Sequence, residues 1–188
     1  MRKEYDNISL DALNIPARSL AKSIGKVWKL GNHPVVLLSG KMGSGKTTFV
    51  SYFVRNLCKE LGAEIESLSI FVNSPTYTFL NEYPLPIFQN ANGEFLSVYH
   101  FDLFRLSDEI EADDLGFYDY WGSRGICLVE WWERAKENFL SLPFGVQIKI
   151  EEYTEETRDL SIEWSGSGWK RFEPELYLIL KEEKEEVG

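Results

Sequence analysis

The segment Gly40-Lys41-Met42-Gly43-Ser44-Gly45-Lys46-Thr47 meets every fixed position of the pattern G-x-x-x-x-G-K-[ST]. This pattern constrains both a local fold and a ligand class. Val35-Val36-Leu37-Leu38 precedes it as a short apolar run suited to a buried strand. After it, Phe49, Val50, Phe53, Val54, Leu57 and Leu61 recur at helical spacing, and Gly62 stands where a helix-terminating glycine belongs. Strand, glycine-rich loop and helix in this order predict a phosphate site. The glycines let successive N–H groups turn inward around phosphate oxygens, and the helix N-terminus adds partial positive charge. The residues expected to contact a nucleoside triphosphate are therefore Gly40, Met42, Gly43, Ser44, Gly45, Lys46, Thr47 and Thr48. The Lys46 ammonium would reach the terminal phosphates, and the Thr47 hydroxyl would take one position on Mg2+. The bland alternative is a glycine-rich turn without a ligand.

Composition narrows the class. A chain of 188 residues with 44% hydrophobic and 14% aromatic content has ample material for one full core. The expected domain spans residues 1–180, and the charged run at 181–188 reads as a frayed tail. No apolar run approaches 18 residues and no secretory leader is evident, so a cytoplasmic chain without a membrane span is expected. Cys58 and Cys127 fall in apolar surroundings and read as buried thiols, not a disulfide. His33 and His100 are too few for a zinc site. The net charge of −10 argues against direct gripping of nucleic acid, which draws its affinity from lysines and arginines on phosphates.

The remaining pattern reads as α/β with a mixed sheet. An amphipathic helix is expected over about Leu10–Trp28, beginning near Pro16, with a turn at Gly31-Asn32. Strands are expected at Ser69–Val72, Tyr77–Tyr83 and Phe95–Phe101, with a surface loop over Pro84–Gly93. Ser107 reads as the N-cap of a short helix ending near Gly116. Gly145–Ile150 and Asp159–Trp164 alternate as antiparallel strands, and Glu173–Leu180 as a closing helix.

Two carboxylates stand at strand ends. Ile126-Cys127-Leu128-Val129 leads into Glu130, and Val98-Tyr99-His100-Phe101 leads into Asp102. Ligands collect outside the carboxyl ends of strands in such sheets, so both acids could converge on a metal and an attacking water. A solvated strand end for Glu130 and a turn cap for Asp102 are the plainer readings. His100 shares a strand face with Asp102, and reads more simply as a structural histidine than as a proton shuttle.

Ser74-Pro75-Thr76-Tyr77-Thr78-Phe79, Tyr99 through Leu106, Leu115-Gly116-Phe117 and Cys127 through Trp131 follow the phosphate loop in an order and spacing that resembles the TsaE family. The likeness spans about Leu20 to Arg134. It implies a small Mg2+-dependent ATPase of bacterial tRNA threonylcarbamoyladenosine synthesis, whose hydrolysis resets a complex of TsaB and TsaD; tRNA is met only through that complex. By resemblance, Thr47 and Glu130 look like magnesium positions, Asp102 like the acid needed for hydrolysis, Trp131 like the tryptophan beside the nucleotide, and Ser74–Thr76 like a switch. Lys46 and Glu130 join Asp102 as the catalytic candidates. On composition alone, Trp131 reads as core packing. Leu13 and Asn14 are adenine-side candidates by position only. The chain departs from the family pattern at Lys41, where an acid is usual, at Trp132, where proline is usual, in the long Pro84–Gly93 segment, and beyond Phe139.

Two other classes share the loop. A small-molecule kinase would bring an arginine-bearing lid, whereas the segment after Phe139 is strand-like and acidic. A regulatory GTPase needs an Asn-Lys-x-Asp motif that is absent, and Asp113-Asp114-Leu115-Gly116 lies at an expected helix end. A nucleotide-gated assembly factor with little intrinsic catalysis remains a further alternative.

Overall fold

The apolar runs Val35–Ser39 (β2) and Ile126–Glu130 (β5) become neighbouring parallel strands at the centre of a mixed sheet. Both need cover on two faces, and that is why neither shows polar alternation. The computed structural model describes residues 1–63 and 71–187, with side chains described as far as Glu183. Seven strands run in the order β1-β7-β6-β2-β5-β4-β3, where β1 is Arg2–Ser9, β3 Leu80–Gln89, β4 Phe95–Asp102, β6 Gly145–Glu152 and β7 Thr157–Ser165. β6, β2, β5 and β4 are mutually parallel, while β3, β7 and β1 add antiparallel edges. This is the single α/β domain with a mixed sheet and flanking helices that the sequence suggests.

Helices α1 (Asn14–Lys29), α2 (Lys46–Glu60) and α4 (Glu173–Val187) cover one face, where Val36, Leu38, Ile126 and Leu128 meet Leu20, Phe49, Phe53 and Leu176. Val35, Leu37, Cys127 and Val129 point to the other face, under α3 (Glu109–Asp114) and short 3-10 turns carrying Phe117, Trp121 and Phe139. Burial of a phenylalanine such as Phe53 contributes about 1.5–3 kcal/mol. Gly62, at φ +97°, ends α2 as expected.

Several elements differ from the sequence reading. β3 runs through Pro84 and Pro86, where a loop is expected, because β3 is the sheet edge and a missing N–H there breaks no ladder. Pro84 still faces Ser97 across the hairpin. The expected strand over Ser69–Val72 begins outside the described residues, and Phe71 and Val72 are not in a strand. The cap of α3 is Asp108, whose carboxylate accepts from the Glu111 N–H, one residue past Ser107. β1 has no counterpart in the sequence reading. α4 continues into the charged run at 181–188, where Glu183 is buried and accepts from Lys3 (2.6 Å), Tyr5 (2.9 Å) and Ser19.

Both cysteines are buried and free. Burial pushes the Cys58 thiol up to about 11 and raises Cys127 further still. Neither should form appreciable thiolate at pH 8, so an aromatic disulfide reagent should label neither in the native chain and both in denaturant. Fast labelling of the folded protein would contradict that burial. Among the described residues, no helix is long and apolar enough to cross a membrane.

Candidate active site

At the carboxyl ends of β2, β5 and β4 lies a cavity of about 220 Å³ lined by Met42, Gly43, Gly45, Lys46, Thr47, Thr48, Ser74, Thr76, Asp102, Phe104, Glu130 and Trp131. The pleat explains its acids. Asp102 and Glu130 are paired positions of adjacent parallel strands, so both carboxylates emerge at the same level, each only 3% exposed.

The phosphate loop frames the other side. Gly43 and Gly45 sit at φ +82° and +107°, a region that L side chains rarely occupy, and Gly45 forms the N-cap of α2. No side chain caps α2. Its first-turn N–H groups therefore have no helical partner and meet the cavity at the positive end of the helix. Here a Cβ at Gly45 would stand 2.8 Å from Leu10 and 3.1 Å from Leu13, so the turn before α1 walls the loop. The Lys46 ammonium donates to the carbonyls of Gly40 and Lys41, each at 2.9 Å, and lies 4.6 Å from the centre of the Trp131 ring. Burial holds its pKa below the ordinary lysine value, against the upward pull of Glu130, Asp102 and Glu133.

Glu130 Oε1 accepts from the Thr47 hydroxyl at 2.9 Å and stands 2.9 Å from His100 Nε2. His100 is fully buried, so its ring braces Glu130 from behind the strand ends. Asp102 Oδ2 accepts from Thr76 at 2.5 Å and Ser74 at 3.2 Å, while Oδ1 accepts from the Phe104 N–H at 3.0 Å. Asp102 is thus a turn cap and a cavity carboxylate at once. It also ties the Ser74–Thr76 segment to β4. Trp131 is half-buried, adopts φ +58°, and packs its ring on Phe104 at 5.1 Å. A bulky residue in the left-handed region costs about 1 kcal/mol, and here the half-buried indole lines the cavity while also packing against the core on that face of the sheet.

Two buried carboxylates against one ammonium leave an excess of negative charge, and the Thr47–Glu130 pair is a set of hard oxygen donors. That set fits Mg2+, which is held by few protein oxygens beside substrate phosphates. The glycine cradle and free helix amides fit a phosphate chain.

Of the sequence-predicted residues, Met42, Gly43, Gly45, Lys46, Thr47, Thr48, Thr76, Asp102, Glu130 and Trp131 are brought together. Gly40 and Ser44 lie behind the loop, with a Gly40 Cβ blocked by the Ile150 carbonyl at 2.4 Å and Ser44 1% exposed. Asn14 is not among the lining residues and its amide oxygen accepts from Asn56 at 2.8 Å. Phe104 was missed. Its place two residues beyond Asp102 was the available signal. Trp132 departs from the expected proline and donates from its indole to Ser39 at 2.8 Å, outside the cavity lining.

Comparison with known proteins gives the family. A family model described as threonylcarbamoyl adenosine biosynthesis protein TsaE matches residues 15–160. The tRNA threonylcarbamoyladenosine biosynthesis protein TsaE of Bacillus subtilis is 32% identical over 160 residues, covering 85% of this chain and 86% of that protein. Its namesake from Haemophilus influenzae is 37% identical over 102 residues, 54% of each chain. The crystal structure of Bacillus subtilis YdiB superposes with a TM-score of 0.61 at 21% identity, covering all of this chain and 97% of that one, a likeness of fold.

Proposed function

The chain belongs to the TsaE family, and on that premise we propose that it is a cytoplasmic, Mg2+-dependent ATPase of tRNA threonylcarbamoyladenosine synthesis, acting on a TsaB–TsaD complex. One observation carries the reading: the Thr47–Glu130 pair and Asp102 meet beside the phosphate loop at a single end of the sheet.

The loop amides and Lys46 bind and orient the phosphate chain of ATP. Thr47 and Glu130 would hold Mg2+, which when bound would offset phosphate charge. Asp102 orients the attacking water, or takes its proton, at the carboxylate oxygen that otherwise accepts from Thr76 and Ser74. Exchange of those hydroxyls between Asp102 and a terminal phosphate would make Ser74–Thr76 report nucleotide state. Trp131 shields the phosphates from bulk water and presents its ring to Lys46.

Among the described residues, no arginine lines the cavity. Arg105 lies over Tyr77 at 5.8 Å and Arg124 over Tyr120 at 5.0 Å. Developing phosphate charge therefore lacks the cationic clamp that accelerates such reactions by orders of magnitude, and the isolated chain should hydrolyse ATP slowly. Docking to TsaB–TsaD supplies what is missing, and tRNA is engaged only through that complex, in keeping with a net charge of −10. The test is steady-state ATPase and multiple-turnover tRNA modification with and without TsaB–TsaD. Stimulation of at least about tenfold, with modification stalling after one round when the chain is omitted, is expected. Fast hydrolysis by the isolated chain, or tight salt-sensitive tRNA binding by it, would overturn the proposal. Multiple turnover sustained by a non-hydrolysable ATP analogue would favour a nucleotide-gated assembly factor instead.

A further inference from the structure

A phosphate loop binds because its N–H groups face inward, which forces its carbonyls outward to find partners elsewhere. Ser44 is the critical case. The residue is 1% exposed, and a buried carbonyl left unpaired costs about 1–3 kcal/mol. Its partner comes from 114 residues away: Arg158 Nε donates to the Ser44 carbonyl at 3.0 Å. Arg158 stands at the start of β7 and is only 6% exposed. The same guanidinium donates from Nη1 to the carbonyls of Thr154 (3.1 Å), Glu155 (3.3 Å) and Thr157 (2.9 Å), and Nη2 lies 3.5 Å from Glu152. One rigid fork thus spans the phosphate loop and the turn joining β6 to β7. Independently, the loop's first glycine closes on the same hairpin, since a Cβ at Gly40 would lie 2.4 Å from the Ile150 carbonyl. The loop thus meets β6–β7 at its first residue and at its middle.

We propose that Arg158 is a positioning residue for nucleotide binding, holding the phosphate loop in its anion-binding shape by clamping the Ser44 carbonyl to the β6–β7 turn. The inference rests on the nucleotide reading above. Arg158 is not among the residues lining the cavity, so it acts through Ser44 and not on the phosphates. Its position lies beyond the motif segments singled out in the sequence, near the end of the residues 15–160 that the family model matches. Lysine cannot substitute fully, because a single ammonium lacks the planar fork that reaches four carbonyls in two segments. Binding and hairpin order must then be coupled in both directions: what stiffens the hairpin tightens nucleotide, and nucleotide stiffens the hairpin.

The test measures ADP affinity by calorimetry on the full chain and on Arg158→Lys and Arg158→Met, with circular dichroism and melting as controls. Arg158→Met should weaken ADP by at least about tenfold, Arg158→Lys by less, and kcat at saturating ATP should change far less than KM. Should Arg158→Met fail to fold, hydrogen exchange on the unaltered chain decides. ADP should slow exchange at 153–158 as well as at 40–48. Unchanged ADP affinity in a folded Arg158→Met, or protection of 40–48 with 153–158 unaffected, would overturn the proposal. An unaltered chain that binds no ADP would instead overturn the nucleotide reading itself.

Discussion

Lys46→Ala is expected to abolish nucleotide binding while leaving the fold intact. Lys46 is 4% exposed, and its ammonium is held over the loop by two carbonyls and the Trp131 ring, so it is preorganised where a phosphate chain would lie. Truncating one member of a desolvated charge pair costs about 2–5 kcal/mol, roughly 30-fold to several thousand-fold in affinity. The two carboxylates then make the loss worse, because Asp102 and Glu130 would face the incoming phosphates with no fixed cation between. Stability should change little, since the released carbonyls of Gly40 and Lys41 belong to a loop open to water at Lys41. Calorimetric titration with ATP and ADP, with melting curves alongside, reads both. Unaltered affinity in a folded Lys46→Ala would remove the basis for any nucleotide site.

What the sequence made legible was local. The loop, β2, α2 and β5 each carry their signal within a few residues: an apolar run, fixed glycines, helical spacing. Convergence of Asp102 and Glu130 was legible because strand ends in a parallel sheet share one side. Elements fixed by distant partners were not. β1 alternates exposed and half-buried residues at a sheet edge, so Lys3, Tyr5 and Ile8 give no apolar run to find. The end of α4 reads as a solvated charge run, yet Glu183 is drawn inward by Lys3, Tyr5 and Ser19, 164 to 180 residues away. Prolines at 84 and 86 signal a loop unless the strand is already known to be an edge.

The site shows the same division. Residues inside the phosphate motif were readable by pattern, whereas orientation within the motif was not: Gly40 and Ser44 serve the loop's back, packed on β6 and held by Arg158. Trp131 by itself reads as core packing, because a tryptophan after an apolar strand suits a core. Its left-handed backbone, which only the fold reveals, turns the ring to Lys46. Asn14 rested on position along the chain, and its amide is engaged by Asn56.

Asp102→Ala and Glu130→Ala should separate binding from turnover. Glu130 holds the Thr47 hydroxyl at 2.9 Å and is braced by His100, an arrangement suited to the ground-state complex of nucleotide and Mg2+. Its removal should weaken ATP in the presence of Mg2+ by about tenfold or more and leave affinity measured in chelator nearly unchanged. The hydrogen bonds of the Asp102 carboxylate run to Ser74, Thr76 and Phe104, and it acts on Lys46 of the loop through charge. A group that acts on the water acts mainly in the transition state, so Asp102→Ala should keep ATP affinity within a few-fold and lower partner-stimulated kcat by about 10²–10⁴-fold. Losing Asp102 also unties the Ser74–Thr76 segment, so exchange there should quicken even without nucleotide. The measurement is a Mg2+-dependent binding titration beside stimulated steady-state kinetics for each variant. Equal losses of affinity in both variants would contradict the division, and full turnover in Asp102→Ala would place the catalytic acid elsewhere.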